Sequence, residues 1–69
     1  MLYILGGTDT EAFEFARNDK KVSVFKVIRG IHDVRNRRIS KVLRVGSFAD
    51  RGDLDEIMDA LGNAEIIDV

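Results

Sequence analysis

The apolar positions of this chain fall into short runs separated by glycines and charged stretches. Leu2-Tyr3-Ile4-Leu5 is apolar without alternation and stops at Gly6-Gly7, which predicts a strand covered on both faces. Thr8 with Glu11 three residues on forms a capping box, so a helix starts here. Ala12, Phe13, Phe15 and Ala16 share one face of that helix, and Asn18 suits its end because asparagine tolerates the left-handed conformation. Residues 22–28 are rich in β-branched side chains and predict a second strand. The alternation slips at Val24-Phe25, so either a bulge sits there or the strand begins near Phe25. After Gly30, Ile31 and Val34 stand three apart in a polar stretch, enough for one helical or 3₁₀ turn. Residues 39–45 predict a third strand, with Val42, Leu43 and Val45 in its core and Gly46 at its end. Leu54, Ile57, Met58 and Leu61 match the i, i+3, i+4, i+7 template of an amphipathic helix. Asp50 or Asp53 is expected to cap it, and Asp53, Asp55 and Glu56 suit its positive end. Gly62-Asn63 closes the helix, and residues 64–69 predict a last strand.

The order is therefore β-α-β-turn-β-α-β within a single domain spanning residues 1–69. Two folds share it. An α+β ferredoxin-like fold pairs the middle strands as an antiparallel hairpin, whereas a Rossmann-like α/β fold keeps every strand parallel. Residues 29–38 are long for a hairpin loop and short for a crossover. The uniformly apolar first strand tips the choice. We expect a small four-stranded parallel open sheet of order 2-1-3-4 with two main helices, and the second and fourth strands at its edges.

Composition narrows the classes further. Sixty-nine residues without cysteine leave no disulfide framework and no thiolate metal site. A chain this short buries only about 60% of its unfolded surface, so self-association is an expected source of stability. No apolar run approaches the ~20 residues that span a bilayer, and no basic segment precedes the first strand, so a cytoplasmic setting is expected. The net charge of −1 hides a strong asymmetry. Ten of the eleven basic residues lie between Arg17 and Arg44, against Asp19 and Asp33 alone, while both flanking segments are acidic. Such segregation points to a partner or to pairing between copies.

Several stretches carry a resemblance. Gly7-Thr8, Glu11-Ala12-Phe13-Glu14-Phe15-Ala16-Arg17, Asp33-Val34-Arg35, Val45-Gly46 and Arg51-Gly52-Asp53-Leu54-Asp55-Glu56-Ile57 together resemble the pattern of small, mostly uncharacterised bacteriophage proteins with a Rossmann-like fold. The resemblance implies that fold and a phage origin. It implies no activity and no catalytic residues.

Candidate chemistry is sparse. Gly6, Gly7, Thr8 and Thr10 lie between a strand and a helix N-terminus, where free backbone N–H groups and the helix dipole attract anions. The stretch is neither a dinucleotide fingerprint nor a Walker loop, and Asp9 and Glu11 place negative charge beside it. The plainer expectation is a tight turn with a capping box. Arg29, Arg35, Arg37, Arg38 and Lys41 form the stronger lead, a basic cluster in and beside the middle connection that suits a protein partner, a second copy of the chain, or nucleic acid. Few aromatics accompany it, which removes the stacking platform of a single-strand binder. His32-Asp33 lacks a nucleophile and a pocket, the acidic residues 50–59 lack calcium-loop spacing, and Arg51-Gly52-Asp53 is taken as a loop leading into a helix cap. No catalytic residues, metal ligands or cofactor emerge. The expectation is a small non-catalytic interaction protein that binds a protein partner or itself as a homodimer, with phosphate or nucleotide binding at the Gly6-Gly7-Thr8 turn, or nucleic-acid binding through the arginines, as alternatives.

Overall fold

The computed structural model describes residues 2–19, 22 and 24–69. Four strands, β1 (Leu2–Gly6), β2 (Phe25–Val27), β3 (Lys41–Val45) and β4 (Glu65–Asp68), form one sheet of order β2-β1-β3-β4 in which every neighbouring pair is parallel. Two helices, α1 (Asp9–Asn18) and α2 (Leu54–Leu61), join β1 to β2 and β3 to β4. The expected α/β architecture, strand order and edge strands are what the structure shows, and the ferredoxin-like alternative is not. Among the described residues no helix is long and apolar enough to cross a membrane.

Connections leave β1 and β3 in opposite lateral directions, so right-handed crossovers place α1 and α2 on opposite faces. The two apolar clusters record this. Ile4, Val27 and Val45 pack with Ala12 and Ala16 of α1, and Leu43 joins them. Leu5, Ile28 and Val42 pack with Ile57 and Leu61 of α2, together with Val34 and Ile39 from the crossover between β2 and β3. Strand residues therefore alternate between an α1 face and an α2 face. Ile4, Leu5, Ile28, Val34, Val42 and Ile57 are the largest fully buried side chains, each contributing about 1.5–3 kcal/mol of apolar burial.

Local details differ from expectation where tertiary packing intervenes. Strand β2 begins at Phe25, with Val24 exposed, so the second of the two expectations holds there. Strand β3 starts at Lys41, and Ile39 fills the α2 side as part of the incoming loop. Helix α1 does not end on a left-handed asparagine. Asn18 is its last residue, and Asp19 follows in extended conformation at φ −98° and ψ 107°. Phe13, grouped with the core face in sequence, is 36% exposed. It lies toward the β2 edge, where its ring meets Phe25 edge-on at 6.1 Å. Asp53 occupies the cap position of α2 without capping it through its side chain, because Arg51 takes its carboxylate. The middle connection forms the expected 3₁₀ turn at residues 31–33.

Candidate functional site

In an open α/β sheet, ligands gather where neighbouring strands send their connections to opposite faces, at the carboxyl ends. Here that point lies between β1 and β3, and the Gly6-Gly7-Thr8 turn borders it. Gly6 lets α1 approach closely: a Cβ there would stand 2.8 Å from the Thr8 carbonyl oxygen and 3.0 Å from the Ala12 nitrogen. The Thr8 hydroxyl accepts a bond from the Glu11 N–H at 3.2 Å, so the cap forms as expected. The Glu11 carboxylate reaches mainly elsewhere. It accepts bonds from the backbone N–H of Ser47 at 2.9 Å and from the Ser47 hydroxyl at 2.5 Å. These bonds hold the Glu11 carboxyl below its ordinary value, the Ser47 hydroxyl contributing most, with a smaller share from the Thr8 backbone. Gly46, at φ 60°, leaves room for the carboxylate, since a Cβ there would overlap it.

Arg51 closes the same crevice from the α2 side. Its guanidinium donates to the Gly6 carbonyl at 2.9 Å, to the Arg29 carbonyl at 2.8 Å and to both Asp53 oxygens at 2.8 and 3.2 Å. Hydrogen bonding to Asp53 raises Arg51 and lowers Asp53 from their ordinary values. The polar groups around the first candidate site are thus largely satisfied by one another. Thr8 and Thr10 are exposed, Asp9 stands at the mouth, and Arg29 approaches Asp9 at 4.0 Å.

The five basic residues of the second candidate site do not gather at one corner. The crossover runs from the carboxyl end of β2 to the amino end of β3 and spreads them along its path. Arg29 stays at the carboxyl edge, where its guanidinium lies 5.9 Å from the Phe13 ring and its backbone N–H donates to Asp33. Arg35 faces Glu56 at 3.7 Å in the first turn of α2. Arg37 and Arg38 reach the amino edge. Lys41 opens β3 on its α1 face, two residues before Leu43, and so lies on the other side of the sheet from Ile39 and Leu61.

Arg37 and Arg38 line an open groove of about 460 Å³ with Ile39, Ser40, Leu61 and Asn63. Its apolar floor is the end of the α2 core, and its rim carries two exposed guanidiniums without a side-chain partner among the described residues. The last carbonyls of α2 point toward this end, an arrangement favourable for cations. The groove's combination of floor and rim is a surface that sequence reasoning missed. Leu61 and Asn63 stand over 20 positions from Arg38, and only the parallel β3–α2–β4 unit brings them together.

The aromatic rings are engaged elsewhere. Phe25 pairs with Phe13, and Phe48 lies 4.4 Å beneath the Arg44 guanidinium. Arg44 in turn forms a forked pair with its cross-strand neighbour Asp68 at 2.5 and 2.7 Å. That pairing lowers the Asp68 carboxyl and raises Arg44. Among the described residues no three His, Asp or Glu side chains come together as a metal-binding group. Compared with protein-family models, with curated proteins and with solved structures, the chain shows no significant match.

Proposed function

We propose that this protein is a small non-catalytic docking module that takes an acidic, partly apolar segment of another protein at its amino edge, as a phage-encoded factor in the host cytoplasm. The observation that carries the reading is the groove of Arg37 and Arg38 over Ile39 and Leu61. Two guanidiniums without a carboxylate partner among the described residues supply charge and forked hydrogen bonding, and the apolar floor supplies burial. A protein segment suits this better than a nucleic acid. Asp55, Glu56 and Asp59 are exposed on the adjoining helix and repel a long polyanion, and Phe13, Phe25 and Phe48 are already in ring or cation contacts.

The test is a titration with a synthetic peptide alternating Glu and Leu, followed by amide NMR. Shifts confined to residues 37–40 and 61–64, abolished by Arg37→Glu with Arg38→Glu but kept in Arg29→Glu, are expected. Unchanged spectra at millimolar peptide refute the reading. A salt-sensitive mobility shift of duplex DNA lost in the same double reversal would transfer the groove to nucleic acid.

A further inference from the structure

The topology leaves one quarter of the sheet uncovered. On the α2 face, the crossover covers β2 and β1, and α2 covers β3 and β4. On the α1 face, α1 covers β1 and β2 and reaches the near flank of β3, where Val45 and Leu43 pack beside it, and among the described residues no segment crosses the outer side of β3 or β4. Alternation and register place Lys41 beside Glu65 and Leu43 beside Ile67 on that bare quarter, with Val69 extending the row through its bond to the Arg44 carbonyl. The exposures agree. Ile67 is half-buried and belongs to neither core cluster, Leu43 is half-buried, Lys41 and Glu65 are exposed, and Val69 is 65% exposed. Strands of a parallel sheet are ordinarily covered on both faces, so Ile67 lacks a layer and Leu43 has one only from the flank of α1.

We propose that a second copy of this chain supplies that layer, packing its own bare β3–β4 quarter face to face as a two-fold dimer. The charge pattern selects the occupant. A two-fold axis running along the strands midway between β3 and β4 exchanges the two strands. It sets Lys41 against Glu65 of the other copy, and Leu43 against that copy's Ile67, in every row at once. The surface is self-complementary, as an isologous interface requires, and the aligned packing is the ordinary one for stacked sheets about 10 Å apart. Helix α1 stands as a wall beside the patch. Its Glu11 flank faces β3, as the bonds to Ser47 show, and half-buried Phe15 lies one turn further along that flank. In the dimer this wall flanks the open β4 edge of the other copy and shields its unpaired backbone groups. Pairing β4 edge to edge about its centre would instead oppose Glu65 to Asp68. The Arg37–Arg38 groove opens on the other face and remains free, so this inference and the docking reading fail independently.

The experiment is sedimentation velocity at about 100 µM protein, with far-UV circular dichroism as the folding check. Wild type should sediment at twice 7.8 kDa, and Ile67→Lys should sediment as a folded monomer. Lys41→Glu, which touches only an exposed side chain, should weaken dimerisation about tenfold because symmetry repeats the like-charge contact. Lys41→Glu combined with Glu65→Lys should restore it. A monomeric wild type overturns the inference. So does a folded Ile67→Lys dimer of unchanged affinity. If Ile67→Lys does not fold, the exchange of Lys41 and Glu65 decides: loss without restoration overturns the proposal.

Discussion

Substituting Gly46 by alanine probes the tie between the two layers. Gly46 sits at φ 60°, and a Cβ there would overlap the Glu11 carboxylate that Ser47 binds. Two costs follow. The backbone term for a non-glycine residue held at a sparsely populated conformation is about 1–3 kcal/mol. The second is displacement of Glu11 from Ser47, which detaches α1 from the loop after β3. Gly62, at φ 61° and ψ −116°, separates the two costs, since alanine there meets a backbone penalty but no collision, a Cβ meeting nothing within 4 Å. A domain of 69 residues has a total stability of about 3–10 kcal/mol, and 1 kcal/mol shifts its melting temperature by about 4–8 °C. Gly62→Ala and Gly46→Ala should therefore both melt measurably below wild type, and only Gly46→Ala should couple to Glu11. The assay is urea unfolding with a double-mutant cycle: Glu11→Ala should cost less in the Gly46→Ala background than in wild type, because the collision has already broken the tie. Additive effects of Gly46→Ala and Glu11→Ala would refute the reasoning.

Acid should weaken the fold through three carboxylates. Glu11, Asp53 and Asp68 are all held below their ordinary values by Ser47, Arg51 and Arg44 respectively. Protons therefore bind more readily to the unfolded chain, so their stabilisation is complete above the ordinary carboxylate range and is lost as pH falls through the folded values. Urea midpoints flat from pH 7 to about 5 and falling below that are expected, and Glu11→Gln should flatten part of the fall; a profile unchanged by this substitution would remove Glu11 from the account. Arg51→Lys keeps the charge but loses the fork that spans Gly6, Arg29 and Asp53, and should destabilise by about 2 kcal/mol in urea unfolding; a lysine variant as stable as wild type would show that charge alone suffices.

Much of the architecture was legible because burial imposes periodicity. Helix α2 follows its apolar stripe, and the lack of alternation in Leu2-Tyr3-Ile4-Leu5 marks a central parallel strand. What was not legible depends on pairs far apart in sequence. The capping box at Thr8 identified a helix start, but nothing local showed that Glu11 spends its carboxylate mainly on Ser47, 36 positions away. Arg51 and Asp53 looked like a loop and a cap, whereas the fold brings the Gly6 and Arg29 carbonyls within reach of the same guanidinium. Phe13 shares a helix face with Ala12 and Ala16 in projection, yet α1 lies toward the β2 edge, so its outer flank meets the cleft beside Phe25 instead of the core. The arginines form one block in sequence because the crossover is continuous, and they separate in space because that crossover spans the sheet from its carboxyl to its amino edge.

The crevice between β1 and β3 explains where interaction chemistry remains available. An anion entering there must compete with the Glu11 carboxylate for the Ser47 N–H, and it meets Asp9 at the mouth. Arg51 already satisfies the Gly6 and Arg29 carbonyls and is matched by Asp53. A small domain with little core to spare gains from such a tie, since it joins α1, the loop after β3 and the start of α2. The opposite edge differs. There Arg37 and Arg38 have no carboxylate partner among the described residues, while the missing fourth cover leaves Ile67 outside both apolar clusters and Leu43 half-buried. One surface is charged with an apolar floor, and the other is apolar with a self-matching charged rim. Because they lie on opposite faces, the proposed dimer would double the proposed docking grooves without covering either one, and a partner with two acidic segments would then bind it more tightly than one groove alone permits.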